Sequence, residues 1–294
     1  MSIDALPAQS AAAIKSGRRE LRSEMLHELV RSKTFMVGAG IILFWVLAAV
    51  LGPTLVPQDP YAQNLNLINH APSSAHWFGT DQLGRDMFAR VIVGARDILI
   101  VAPLATLIGT VLGTGLGLVM GYFRGVTDDI ISRFVEAFLA LPVVIIAILG
   151  VVALGPSNGT VIAVIGIIFA PLIARTVRSA VLLERELDYV AAARLRGERS
   201  PYIMFVEILP NVLSPVMVEF TVRLGYAVFA IVTLSFLGFG IQPPSPNWGL
   251  EIATNYGVVA AGYWWEVLFD ALAIATLVVG VNMVANSIEQ VIEA

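Results

Sequence analysis

The residues from Ala137 to Ala174 include no charged side chain for 38 positions. A helix rising 1.5 Å per residue crosses the roughly 30 Å apolar core of a bilayer in about 20 residues, so this run is too long for one crossing. Its middle reads Gly155-Pro156-Ser157-Asn158-Gly159, a strong turn signal. The spacing predicts two helices joined by a tight hairpin. Phe35–Val56 gives 22 further uncharged residues, Ile98–Phe123 gives 26, Asn211–Gly240 is apolar apart from Glu219 and Arg223, and Ala271–Ile288 follows Asp270. Six spans are expected, at 34–56, 97–123, 130–153, 159–181, 210–240 and 265–289.

So many apolar runs cannot share one soluble core, and composition agrees. Charged residues make up 14% of the 294, against about 25% in soluble domains. The runs are continuous rather than alternating, which excludes a transmembrane barrel. A net charge of −4 argues against nucleic-acid binding, and the absence of cysteine excludes disulfides and thiolate chemistry. The fold class expected is an all-α polytopic membrane protein.

Lysine and arginine set the orientation. Residues 1–33 hold six, the connection after the second span two, and the segment after the fourth six, fourteen in all against three (Arg85, Arg90, Arg96) on the opposite side. Both termini are therefore expected in the cytoplasm. The polar stretch before the first run is unlike a signal peptide, so that run is expected to stay as an anchor. Within the arm 1–33, Leu21, Met25, Leu26, Leu29 and Val30 recur at helical spacing, predicting an amphipathic helix on the membrane or on a partner. A solvated topology signal is the alternative.

The loop 57–96 contains Asp81, Arg85, Asp86 and Arg90, which pair at i,i+4 if that stretch is helical. Its histidines, His70 and His76, lack a third ligand, so no metal site is expected. The second span carries Gly109, Gly113, Gly117 and Gly121 at intervals of four, a ridge for close helix packing. The loop 241–264 leads into Trp264 and Trp265, and with Trp248, Tyr256 and Tyr263 these form a stretch that an interfacial aromatic belt explains.

The segment 182–209 is the longest charged stretch between spans. Ala191, Ala192 and Ala193 favour a helix, Gly197 can end it, and Pro201 can start another. A compact helical knob outside the bilayer is a docking element, or else a connector resting on the lipid. Glu219 and Arg223 sit four apart within the fifth span; a buried charge there faces a partner or a cavity, so either an ion pair or a place on a translocation path is open.

Three stretches resemble a known family: FGTDQLGRDMFARVIVGAR (78–96), DYVAAARLRG (188–197) followed by ILPN, and LSFLGFGIQPPSPNWG (234–249). The chain resembles, from about Lys33 onward, the inner-membrane permeases of ATP-binding-cassette importers, specifically the C-type subunit of the dipeptide, oligopeptide and nickel group. The resemblance implies a type I importer permease fold, with core 97–294, in the bacterial inner membrane. It implies that Asp188, Ala191, Ala192, Ala193, Arg194, Gly197, Leu209 and Pro210 couple to ATPases, since Gly197 and Pro210 keep the family's thirteen-residue interval. It further implies a homologous B-type permease subunit, two ATP-binding subunits that carry ATP and magnesium, and a periplasmic solute-binding protein.

No cofactor is expected on this chain, which has no phosphate-binding Gly-x-x-x-x-Gly-Lys-Ser/Thr loop and no catalytic constellation. Two departures stand out. Ala191 occupies the position of the motif's usual glutamate, and Ile231 lies where an acidic residue often precedes the SFLG run. The glutamate's role could pass to Asp188, or the partner's groove could differ. The solute is expected to be a peptide or related small molecule. An ion-coupled secondary transporter and a non-transporting scaffold are the alternatives.

Overall fold

The computed structural model describes residues 28–293, so most of the expected N-terminal amphipathic helix lies outside the described residues. A helical turn at 28–31 precedes α1 (Lys33–Leu55), which opens where the Ser32 hydroxyl accepts a bond from the Phe35 amide at 3.3 Å. Then follow α2 (Met87–Phe123), α3 (Gly125–Leu139), α4 (Val143–Leu154), α5 (Asn158–Glu184), α6 (Asp188–Leu195), α7 (Ser200–Tyr202), α8 (Leu213–Phe236), α9 (Trp248–Asn255) and α10 (Trp265–Glu293). Among the described residues there is no strand, only one isolated bridge between Thr80 and Asp86.

Five of these helices are long and apolar enough to cross a membrane, and the α3–α4 pair makes a sixth if the two are taken as one span. Over the span expected at 130–153 the chain forms two helices that meet at 90°. The break falls at Leu141-Pro142, where proline supplies no amide hydrogen and drives the preceding residue away from helical geometry. The second span also begins earlier than expected. At 37 residues α2 is about 55 Å long, far more than the apolar core requires, and Asp86 caps it by accepting from the Ala89 amide at 2.7 Å.

α2 and α5 form the centre of the bundle. A Cβ added at Gly109, Gly113, Gly117 or Gly121 would sit 2.6–2.8 Å from α5 atoms: Phe169 Cβ, the Ala170 carbonyl, Val177 Cβ and Val181 Cβ respectively. The four glycines let two backbones approach to a distance that any side chain would forbid. A second close crossing joins Gly38 of α1 to Gly280 of α10, and the Trp45 indole donates to the Thr276 hydroxyl at 3.2 Å. Outward faces carry exposed apolar residues, among them Val50, Val111, Leu149 and Phe229. Such surface suits lipid rather than water.

The bundle has two distinct ends. The cap end consists of residues 57–86, the start of α2, α9 and the start of α10. The knob end consists of α6, α7 and the turn that follows them. α1 begins and α10 finishes at the knob end.

Candidate functional site

The knob is built on α6. One face, Val190 and Ala193, is fully buried against the bundle, as are Ile203 and Ile208 of the following π-helical turn. The opposite face presents Ala191, Ala192, Arg194 and Leu195, and Leu195 is 90% exposed. Asp188 is exposed in the first helical turn, where a carboxylate is favoured by the helix dipole. Gly197 has φ 77, with open space around it, so glycine is needed there for its backbone and not for clearance. Leu209 is half-buried and Pro210 exposed where the segment turns into α8.

Polar bonds fasten the knob to the bundle. Arg185 donates to the carbonyls of Gly121 and Tyr122 at the end of α2, and the Arg194 guanidinium lies 5.4 Å from the Tyr122 ring centre. Tyr189 donates to Glu184 at 2.7 Å and accepts from Asn211 at 3.1 Å. Burial and the Glu184 bond push the Tyr189 phenol up to about 12. Burial and the neighbouring guanidiniums of Arg124 and Arg194 lower the Arg185 pKa from the usual arginine value. The exposed face of α6 is thus carried on a segment fastened to the bundle by hydrogen bonds.

Glu219 and Arg223 pair at 2.9 Å along one face of α8, and Thr176 of α5 donates to Glu219 at 2.6 Å. Arg223 also lines a cavity of about 770 Å³ among α2, α3, α5 and α8, near the knob end. The pair is thus an ion pair, and its Arg223 borders a space. Arg175 and Glu136 line the same cavity, as does Arg178, which grips Asp128 through two bonds of 2.6 Å. Sequence reading missed these residues because they lie in two separate helices, and only the approach of α3 to α5 brings them together.

At the cap end the expected helical pairing is corrected. Asp81 and Arg85 do pair, at 2.6 Å, but within a turn before α2. Asp86 caps α2 and meets His76 at 2.8 Å, while Arg90 pairs with Glu251 of α9 and donates to the Pro60 carbonyl at 2.7 Å. The aromatic-belt reading is corrected for two tryptophans. Trp248 is wholly buried, its indole donates to the Val91 carbonyl at 2.8 Å, and its ring meets Trp45 edge-on. Trp265 is buried and donates to the Thr80 carbonyl at 3.2 Å. Each indole found a fixed acceptor inside the cap, which satisfies its N–H without water. Tyr256 and Trp264 remain exposed.

Comparison with known proteins places the chain among solute permeases. Residues 113–294 match the family model for the binding-protein-dependent transport system inner membrane component, and residues 21–72 match the N-terminal transmembrane domain of oligopeptide transport permease C. The chain belongs to the binding-protein-dependent transport system inner membrane component family, the permeases of ATP-binding-cassette importers. It is 34% identical to the dipeptide transport system permease protein of Bacillus subtilis, covering 97% of this chain and 89% of that one. It is also 34% identical to the glutathione transport system permease protein of Pectobacterium atrosepticum, over 98% and 94% of the two chains. The fold is similar to that of a chain of the methionine ABC transporter MetNI, with a TM-score of 0.56 and 20% identity over 70% of this chain and 96% of that one.

Proposed function

We propose that this chain is the C-type permease subunit of an ATP-driven importer in a bacterial inner membrane. It forms half of the translocation path beside a homologous B-type subunit. Both termini and the knob face the cytoplasm, the cap faces outward, and a periplasmic solute-binding protein delivers solute to the cap. The solute is a peptide or a related small molecule, in keeping with the names of the dipeptide and glutathione relatives.

The observation that carries the coupling role is the split character of α6. Val190 and Ala193 are buried while Ala191, Ala192 and Leu195 stand exposed beside Gly197. One of the two ATP-binding subunits holds that exposed face in a groove shaped for the Ala191 methyl rather than a carboxylate. ATP and magnesium sit on those partners, and this chain performs no catalysis. Closure of the ATPases moves the knob, and the bundle alternates between two packings of similar free energy. The α2–α5 glycine contact suits such motion, because smooth faces can slide.

The test uses the chain assembled with its partner subunits. Solute-stimulated ATP hydrolysis should be lost in Gly197→Asp, or on deleting Ala191–Arg196, while the assembly still purifies intact. Unchanged stimulation in both variants refutes the coupling assignment. Uptake by this chain alone, driven by an ion gradient without ATP, would instead establish a secondary transporter.

A further inference from the structure

The last carbonyls of a helix need donors from beyond it. At the knob end of α2, the Met120 carbonyl accepts from the Arg124 amide at 3.3 Å, and the next two, of Gly121 and Tyr122, accept from the Arg185 guanidinium. Arg185 lies between α5 and α6. The chain enters the knob from α5 and leaves it into α8, whereas α2 meets the knob only in space. Two further contacts converge on the same end: Glu186 pairs with Arg124 at 3.1 Å, and Arg194 lies over the Tyr122 ring. Solvent weakens the first, because its side chains are 48% and 59% exposed. Arg185 is 15% exposed, so its charge-assisted bonds to the carbonyls are the stronger tie.

At its other end α2 is fastened to the cap, where Arg90 pairs with Glu251 and the Val91 carbonyl accepts from the Trp248 indole. One helix thus runs from knob to cap. Along its length it meets α5 through the glycine ridge, an apolar contact that sets the distance between the two axes. Thr106 and Thr110 bond to carbonyls of α2 itself and do not pin it to α5. We infer that Arg185 is a positioning residue for coupling: its fork locks the end of α2 to the knob, so that displacement of the knob reaches the cap along α2. This rests on the importer reading and adds the route by which the motion crosses the bilayer. Without the fork, the knob moves with α5 and α8 while α2 slides along the ridge, and the cap does not follow.

The experiment uses the full complex in lipid nanodiscs. The chain has no cysteine, so with cysteine-free partner subunits Tyr256→Cys carries a single environment-sensitive fluorophore in the cap. Tyr256 is exposed and directly follows α9, the helix that Arg90 and Trp248 tie to α2. With Arg185 in place, ATP, magnesium and vanadate should shift the emission. Arg185→Met should abolish that shift while solute-independent ATP hydrolysis persists and the complex purifies intact. Arg185→Lys should keep a shift, because its ammonium still donates to a helix-terminal carbonyl. A cap that serves folding alone gives another pattern: Arg185→Met loses assembly, or loses shift and hydrolysis together. Either result overturns the proposal. So does an unchanged shift in Arg185→Met, a lysine variant that behaves like the methionine one, or a cap that ignores nucleotide with Arg185 in place. In each case, solute-stimulated ATP hydrolysis that depends on Gly197, measured with Arg185 in place, leaves the importer reading standing.

Discussion

Replacing Arg90 by methionine removes the most deeply buried cation of the cap. Arg90 is 1% exposed and Glu251 2%, and the pair links α2 to α9. The substitution leaves Glu251 with only Arg85, 3.6 Å away, and deprives the Pro60 carbonyl of its donor. Glu266 and Asp270, also wholly buried and without hydrogen-bond partners, add to the acidic surroundings. Removing one partner of a buried pair costs about 3–5 kcal/mol, because the survivor's desolvation is no longer offset.

The measurement is unfolding of the purified chain in mixed detergent micelles, followed by tryptophan fluorescence. Arg85→Met is the comparison. Its partner Asp81 keeps bonds of 2.9 Å from the amides of Leu83 and Arg85, so a smaller loss, under about 2 kcal/mol, is expected. The double variant Arg90→Met, Glu251→Leu should recover most of the deficit, since it removes both charges together. An Arg90→Met chain within about 1 kcal/mol of wild type would refute the reasoning. A double variant no better than the single would place the cost in packing, not in the stranded charge.

Gly113→Val should destabilise the bundle by about 1–3 kcal/mol in the same assay, because its Cβ would sit 2.6 Å from a backbone oxygen of α5 that cannot swing aside. Gly115→Val on the same helix meets open space and should stay within about 0.5 kcal/mol; equal losses at both sites would contradict the ridge geometry. Asn247→Ala deletes the carboxamide oxygen that accepts from the Gly249 and Leu250 amides at the start of α9, and should cost about 1 kcal/mol. Fluorescence of the adjacent buried Trp248 would report the fraying, and an unshifted transition would count against the cap.

The amino-acid order alone determined that this chain lives in a bilayer. Uncharged runs longer than a soluble core can absorb leave no other solvent, and the period-four glycines marked a face for close contact. The knob was also legible, since alanines, Gly197 and Pro201 are local signals that do not wait for tertiary partners. What only the folded bundle decided were the partnerships of the charges. Arg90 could have met Asp86 four residues back, but Asp86 was drawn into capping α2, and Arg90 reached Glu251 across 161 positions. Trp248 read as an interfacial residue until Val91 supplied an acceptor inside the cap. Arg175 and Glu136 became neighbours of one space through the bend at Pro142 and the approach of α3 to α5. Periodicity and turn chemistry act over a few residues and are written in sequence, whereas a buried charge or indole settles on the acceptor that three-dimensional packing brings within reach.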